Sequence, residues 1–367
     1  MARTVLGALT RRVLQRSCSV RILQVTEASY AGTLRIVETL CCGLARQGDE
    51  VTLAFGRHPE TPPVLGGDSE YDVHELDWDR RTAAAQVTAA RQLRGLVARL
   101  RPDVVHLHST FAGLVGGALD RSVPRLYTPH GWASTHRDWP YRVVGAVADR
   151  IAARRSDVVG TVSEAEAEVA RRFGARRVVV VANGLPELDD HAPPVRRVDD
   201  GAAVVAGGRL VGSRRPVESA RILRSLDGLA RTRWVGGGPA TMVEAVEALG
   251  VPVTGWLPHH EVLEHLARTT AYLHWSATDG QSVAVLEAIA RDVVVIASDI
   301  PANREILDGD QLFASSDEAA RMLRRVVEEP GLRMRLLEAQ RARGRGHGAE
   351  RMVKGWSDAY RRTLGAD

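Results

Sequence analysis

Lysine is almost missing from this chain: of its 49 basic residues only Lys354 is a lysine, and the rest are arginine. A cation set against an anion here is therefore a planar guanidinium, suited to bidentate contacts. Cysteine is scarce too. Cys18, Cys41 and Cys42 make an odd number with two adjacent, so no disulfide framework can be read and a reducing, cytoplasmic setting is expected. Aromatic residues are 5% of the chain and no basic stripe is interleaved with them, which argues against nucleic acid as a partner. The net charge of +4 is mild and gives no such signature either. No apolar run approaches the ~20 residues of a membrane span, and the longest candidate, Phe111 to Leu119, is too short. No Gly-x-Gly-x-x-Gly follows the first strand-like run, which weighs against a dinucleotide oxidoreductase. No internal repeat is visible.

What is present is an ordinary globular composition over 367 residues, 44% hydrophobic and 26% charged, enough for two domains. From Arg21 onward short β-rich runs alternate with longer amphipathic ones. Strands are expected at Ile22–Thr26, Val51–Phe55, Val104–Leu107, Arg125–Thr128, Val158–Val162 and Val178–Val181. Helices are expected between them at Leu34–Arg46, Thr82–Leu100, Tyr141–Arg155 and Glu164–Phe173. The proline- and aspartate-rich stretch after Leu185 reads as a linker. Alternation resumes with strands at Ala203–Ala206, Arg233–Val235, Val251–Thr254, Ala271–His274 and Val293–Ala297. Helices are expected at Pro216–Leu226, Thr241–Leu249, His260–Ala267 and Val283–Ala290, and the tail from Ser316 is helical. Near-continuous apolar strands alternating with helices predict an α/β fold with two doubly wound parallel sheets and a cleft between them. The expected division is an N-terminal domain over 21–187, a linker over 188–201 and a second domain over 202–349. Residues 1–20 stand apart, with Arg3, Arg11, Arg12 and Arg16 among Val5, Leu6, Leu9, Val13 and Leu14. That pattern predicts either a peripheral membrane contact or a frayed extension.

Ligands of such sheets sit beyond the carboxyl ends of the strands. The segment Ser276–Glu287 follows the strand Ala271–His274 and so lies on the cleft. Ser282 can cap the helix that follows, and the amides of Val283 and Ala284 would form an anion site at its start. Asp279 before the helix and Glu287 within it suit a polyhydroxylated ligand with a phosphate between them. A capped helix with a surface acid is the plainer reading of the same residues.

This segment resembles the acidic signature of retaining GT-B glycosyltransferases of family 4 (group 1): an acid, Gly, six more residues, a second acid, then Ala. Here it stands as Asp279, Gly280, Glu287 and Ala288. Gly207-Gly208-Arg209-Leu210 resembles the family's Gly-Arg-Leu opening, with Arg214 at the position of its usual lysine. Val235 to Pro239 and Thr254 to Pro258 resemble its nucleotide-side loops. In the first domain Val25 to Ala28 with Ala31, Gly32 and Arg35 resembles its first strand and glycine loop. Segments around His106-Leu107-His108, His130-Gly131-Trp132, Ser163-Glu164 and Asn183-Gly184 also match, and the motifs keep their order over about residues 21–365.

The resemblance implies two Rossmann-like domains, with a C-terminal helix, about 350–365, crossing back onto the first. It implies a glycosyltransferase that uses a nucleoside-diphosphate sugar and no metal or other cofactor. Asp279 and His130 would lie against the donor sugar, and Glu287 would hold the ribose. Arg209, Arg214, Gly32, Ser282, Val283 and Ala284 would hold the diphosphate, and Gly236, Gly237, Trp256 and Leu257 the nucleoside. The acceptor would be a saccharide, a lipid-linked sugar or a natural product, and the site cytoplasmic or at the inner membrane face. Departures are Asp279, whose carboxylate sits about 1.5 Å further back than a glutamate's, Ala31 for a glycine, and Arg291-Asp292-Val293 for a Gly-x-Pro turn. They motivate a second reading, a weakly catalytic sugar-nucleotide-binding partner subunit, which turnover would exclude. A nucleotide-sugar 2-epimerase shares the expected fold. Asp77-Trp78-Asp79 reads as a solvated turn, and His106 and His108 share a strand face without a third ligand nearby in sequence.

Overall fold

The structure, a computed structural model, describes residues 19–27, 31–58, 61, 70–78, 82–135, 139–189 and 201–365. The basic stretch at 1–18, Asp79 and most of the expected linker lie outside the described residues. The first sheet has seven parallel strands: β1 (Arg21–Thr26), β2 (Glu50–Gly56), β3 (Asp72–Leu76), β4 (Val104–His108), β5 (Arg125–Thr128), β6 (Val158–Thr161) and β7 (Val178–Val180). Their order is β3-β2-β1-β4-β5-β6-β7. Ile22 stands beside Val51 on one flank and Val104 on the other, so β1 is central. Its burial is nearly complete, which is why it reads as an unbroken apolar run. The second sheet has five strands: β8 (Ala203–Gly207), β9 (Arg231–Val235), β10 (Ala271–His274), β11 (Val294–Ser298) and β12 (Leu312–Phe313). Its order is β12-β11-β10-β8-β9.

Helices connect these strands. In the first half they are α1 (Ala31–Arg46), α2 (Ala83–Leu100), α3 (Thr110–Gly116), α4 (Trp139–Arg155) and α5 (Glu164–Arg172). In the second they are α6 (Pro216–Arg224), α7 (Ala240–Glu247), α8 (His259–Ala267), α9 (Val283–Ala290), α10 (Pro301–Ile306), α11 (Ser316–Glu328), α12 (Pro330–Gly344) and α13 (Ala349–Leu364). Among the described residues no helix is long and apolar enough to cross a membrane.

The sequence pattern and the structure differ at three strands. Val251–Thr254 is not a strand but two isolated bridges, Trp234 to Val253 and Gly236 to Gly255. Pro252 has no N–H to give to a ladder, and Gly255 turns the chain away at φ 73°. β3 and β12 carry no apolar run: β3 is an edge strand with only Leu76 buried, and β12 is two residues long.

α13 returns to the first domain. A bridge between Leu185 and Gly348 marks the crossing. Beyond it Val353 packs on Gly43 of α1, and the Trp356 ring lies where a β-carbon on Gly160 would be. Tyr360, buried, receives a hydrogen bond from Gln24 of β1 at 3.0 Å.

Candidate active site

In each sheet the strand order reverses at one point, between β1 and β4 in the first and between β8 and β10 in the second. These are the crevices where open α/β sheets bind ligands. A cavity of about 240 Å³ opens between the two. Glu27, Ser109 and His130 line it from the first domain, Ser213, Asp279 and Gly280 from the second.

Asp279 is the centre of charge on the second side. Its Oδ2 accepts from Arg214 Nη1 at 2.7 Å and lies 3.4 Å from His274 Nε2. Burial by itself would raise this carboxyl, but Arg214 and His274 outweigh it and hold it at about 2. Arg214 thus stands on the acid, and its Nη1 also lies 3.0 Å from His274 Nε2. Gly280 has no room for a side chain, because Glu166 of α5 and the amide of Gly131 lie against it. Glu166 accepts from Gly131 N at 2.7 Å and Val162 N at 3.1 Å. Burial raises it to about 7 against those two amides.

His130 faces Asp279 from the first domain on a strained backbone, φ 52°. Its ring ends a buried chain of polar groups that fixes its tautomer. Gln24 Nε2 donates to the Tyr360 hydroxyl, whose own proton therefore goes to His106 Nδ1 at 2.7 Å. His106 Nε2 then donates to Thr128 Oγ1 at 2.8 Å. Gln24 Oε1 accepts from His108 Nε2 at 2.7 Å, leaving His108 Nδ1 to accept from His130 Nε2 at 2.9 Å. Burial lowers all three histidines, His130 to about 4, so the chain is neutral and His130 keeps Nδ1 as an acceptor. The two strand histidines spend both ring nitrogens in this chain. Among the described residues no group of three His, Cys, Asp or Glu side chains could hold a metal ion.

Glu287, on α9, is buried 3.5 Å from Arg35 Nε and 3.7 Å from His259 Nε2. Burial raises it to about 7, with Arg35 pulling the other way. Arg35 belongs to α1 of the opposite domain and also grips Glu187 at 2.6 Å. The starts of α1 and α9 lie against each other: a β-carbon on Gly32 would stand 3.0 Å from Val283 Cβ. The first-turn N–H groups of both helices, those of Val283 and Ala284 among them, are therefore near one another and have no partners within their own helices. Ser282 stands at the N-cap of α9, but the expected side-chain cap is not formed. Its hydroxyl is buried without a partner, so it uses up none of those amides.

On the far side Arg209 lies 5.9 Å over the Trp256 ring, and Trp256 packs on Gly237. Gly236, at φ 130°, leaves no space for a side chain against the Gly208 carbonyl. Leu257 is half-buried beside them. The structure therefore brings the expected residues together as three groups: Asp279 with Arg214 and His130, Glu287 with Gly32 and Val283, and Arg209 with Gly236, Gly237, Trp256 and Leu257.

Several polar residues of the cleft carry no role in the sequence reading. Ser109, at φ 84°, donates its hydroxyl to Glu27, which also accepts from Ala112 N at 3.2 Å. Gln281 Oε1 accepts from Asn183 N at 2.6 Å across the cleft. Glu305 of α10 accepts from both Glu164 N and Ala165 N at the start of α5. Glu27 and Asn183 fall in segments that resemble the family, and Glu27 and Ser109 directly follow strands, but none of these signals names a partner.

Comparison with known proteins agrees with this architecture. Residues 30–187 match the family model described as Glycosyltransferase Family 4, and residues 212–329 that described as Glycosyl transferases group 1. TuaC of Bacillus subtilis (strain 168), provisionally named a teichuronic acid biosynthesis glycosyltransferase, is 28% identical over 62% of this chain. The chain spans 60% of the length of that relative, less than two thirds. Among solved structures, sucrose-phosphate synthase from Thermosynechococcus elongatus is 15% identical with a TM-score of 0.81, over 95% of this chain and 100% of that one. HepE of Anabaena, solved with UDP and glucose, is 14% identical with a TM-score of 0.75, over 93% and 99%. At such identities these two speak for the fold, which is GT-B. With the two family matches together taking in most of its length, the chain belongs to the family 4 (group 1) glycosyltransferases.

Proposed function

We propose that this protein transfers a sugar, with retention at the anomeric carbon, from a nucleoside-diphosphate sugar to a saccharide, lipid-linked or natural-product acceptor. The observation that carries the reading is the cavity between the two switch points, with Asp279 and His130 on opposite walls. HepE, a structural relative, was solved with UDP and glucose, the two halves of such a donor.

The donor lies along the second domain. Its base rests against Gly236, Gly237, Trp256 and Leu257, and its ribose hydroxyls bond Glu287. Its diphosphate takes amides at the starts of α1 and α9, with Arg209 and Arg214 as cations. As the bond to the diphosphate breaks, negative charge grows on the leaving oxygen. Fixed donors aimed at that charge lower the barrier without reorganising. These cations and amides supply the charge that a metal would otherwise bring, so the reaction needs none. The sugar left behind has oxocarbenium character. Asp279, ionised at any working pH, stabilises it, and His130 offers its Nδ1 lone pair to a sugar hydroxyl. Arg214 passes from Asp279 to the phosphate when donor enters. Closure of the cleft excludes water and protects the donor from hydrolysis. A cytoplasmic location follows from the donor, which is made there.

Thermal melting with UDP-, GDP-, ADP- and dTDP-sugars tests the reading. Binding to the folded state alone at a hundred times Kd adds about 2.7 kcal/mol. One nucleotide should raise the melting temperature, and Glu287→Ala and Arg209→Ala should abolish the rise. Turnover with that donor should survive EDTA. No shift with any of the four would overturn the proposal.

A further inference from the structure

We propose that the outer face of α4 is a docking surface for an anionic lipid bilayer. Trp139, Val143, Val144 and Val147 are 65%, 45%, 65% and 57% exposed. Positions 139, 143 and 147 are successive i, i+4 neighbours, with 144 beside them, so they form one continuous stripe. Single exposed apolar residues need no explanation, but a contiguous stripe of this kind marks an interaction site. Arg150 and Arg154 continue the same face through the last two turns, and Arg142 flanks it, all exposed. The helix holds one acid, Asp149, and it points inward, where its carboxylate receives the Tyr127 hydroxyl at 2.8 Å and Ala133 N at 2.9 Å. The exposed side of α4 thus joins an apolar half with a tryptophan at its end to a basic half with no acid. That is the pattern of a helix lying in a bilayer interface, its apolar side chains among acyl chains and its arginines on anionic headgroups.

Charge decides between occupants. A second copy docked about a two-fold axis would set Arg142, Arg150 and Arg154 against their own images or, with the helices antiparallel, press Arg150 and Arg154 onto the partner's apolar half, with no acid on the face to pair them in either case, and four side chains are far short of a stable dimer interface. Anionic headgroups neutralise the same arginines. Position points the same way. The inner side of α4 holds the cavity wall: Gly145 is pressed on Ala133, and Asp149 tethers the Ala133 amide. Ala133 and Thr135 line the cavity. The docking face and the cavity are opposite sides of one helix, about 10 Å across. A saccharide on a lipid carrier could enter the cavity while its lipid stays in the membrane. This last step rests on the function proposed above; the docking itself does not.

The test is co-sedimentation of the full chain with vesicles of phosphatidylglycerol and phosphatidylcholine against phosphatidylcholine alone. Binding should require the anionic lipid and weaken with salt. Val143→Asp/Val147→Asp and, separately, Arg150→Glu/Arg154→Glu should each lower partition about tenfold or more. All four positions are exposed and away from the cavity, so melting temperature and nucleotide-induced shifts should not change. Equal binding to both vesicle types, or variants that bind like the parent, would overturn the proposal. So would a dimer in light scattering that the same variants dissolve, which would give the face to a second copy. Loss of vesicle binding with no nucleotide shift in any protein would leave the docking face standing and remove the function reading alone.

Discussion

Two carboxylates nine-tenths buried or nearly so behave oppositely, and each difference can be measured. Asp279 sits at about 2 because Arg214 and His274 outweigh its burial. A free aspartate titrates near 3.9. A depressed carboxyl stabilises the fold above the unfolded value and loses that contribution as pH falls through the folded one. Arg214→Ala should therefore cost about 1–3 kcal/mol at neutral pH, and the gap to the parent should close toward pH 2. Denaturant unfolding at several pH values reads this directly. A constant gap would mean that Arg214 acts through packing alone. Glu287 is the reverse case, raised by burial to about 7. The folded protein holds an extra proton there between roughly pH 4.3 and 7, so its stability contribution falls as pH rises across that window. Ribose hydroxyls need the ionised form as acceptor. On the proposed reading, nucleotide affinity rises over the same window in which the free protein loses stability. Titration calorimetry at pH 6 and 8 should show this rise beyond the nucleotide's own titration. Glu287→Gln should show weaker binding without it.

At the scale of elements, the returning helix α13 is the part most exposed to a single atom. Gly160 on β6 lies under the Trp356 ring, and a β-carbon there would overlap it. Gly160→Ala should cost about 1–3 kcal/mol by overpacking and loosen the seat of Tyr360, read as lower denaturant resistance. A neutral effect would show that α13 can shift on the sheet. The same helix shows where sequence reading stops. β1, β4, β10 and β11 are legible because a strand buried on both faces must be apolar throughout. β3 is an edge strand with one buried residue, so its sequence carries no such mark. Asp279 and Arg209 are legible as charged residues set just past strand ends, where ligands bind, and Glu287 as an acid within the helix that follows. Their partners are not. Gln24 and Tyr360 meet across 336 positions, and Arg214 meets Asp279 across 65. No local spacing encodes a contact between the end of one element and the flank of another. The missing cap at Ser282 has the same origin: its residue type permits the bond, and the meeting of α9 with α1 decides its geometry.

At the scale of the whole molecule, several of the contacts between the two domains are polar and can part. Arg35 reaches Glu287, Asn183 meets Gln281, and Glu305 caps the start of α5 from the opposite domain. Beside them one buried apolar cluster runs from Ile36 and Leu40 of α1 through Leu185 and Met352 to Leu286 and Ile289 of α9, so that motion between the domains would turn about this cluster while the polar contacts break. Glu305 is the cleanest lever because it lies outside the cavity and its carboxylate serves two amides at a helix start. Such a charge at an exposed helix start is worth about 0.3–1 kcal/mol. Its removal should thus shift an open–closed equilibrium by roughly two- to fivefold. If binding draws on the closed form, the apparent nucleotide Kd should weaken by up to that factor, because a smaller fraction of the protein is competent. Small-angle scattering of Glu305→Ala should give a larger radius of gyration than the parent without ligand, and the two should converge at saturating nucleotide. An unchanged radius together with an unchanged Kd would mean that the contacts inside the cleft, Arg35 with Glu287 and Asn183 with Gln281, hold the domains without help from α10.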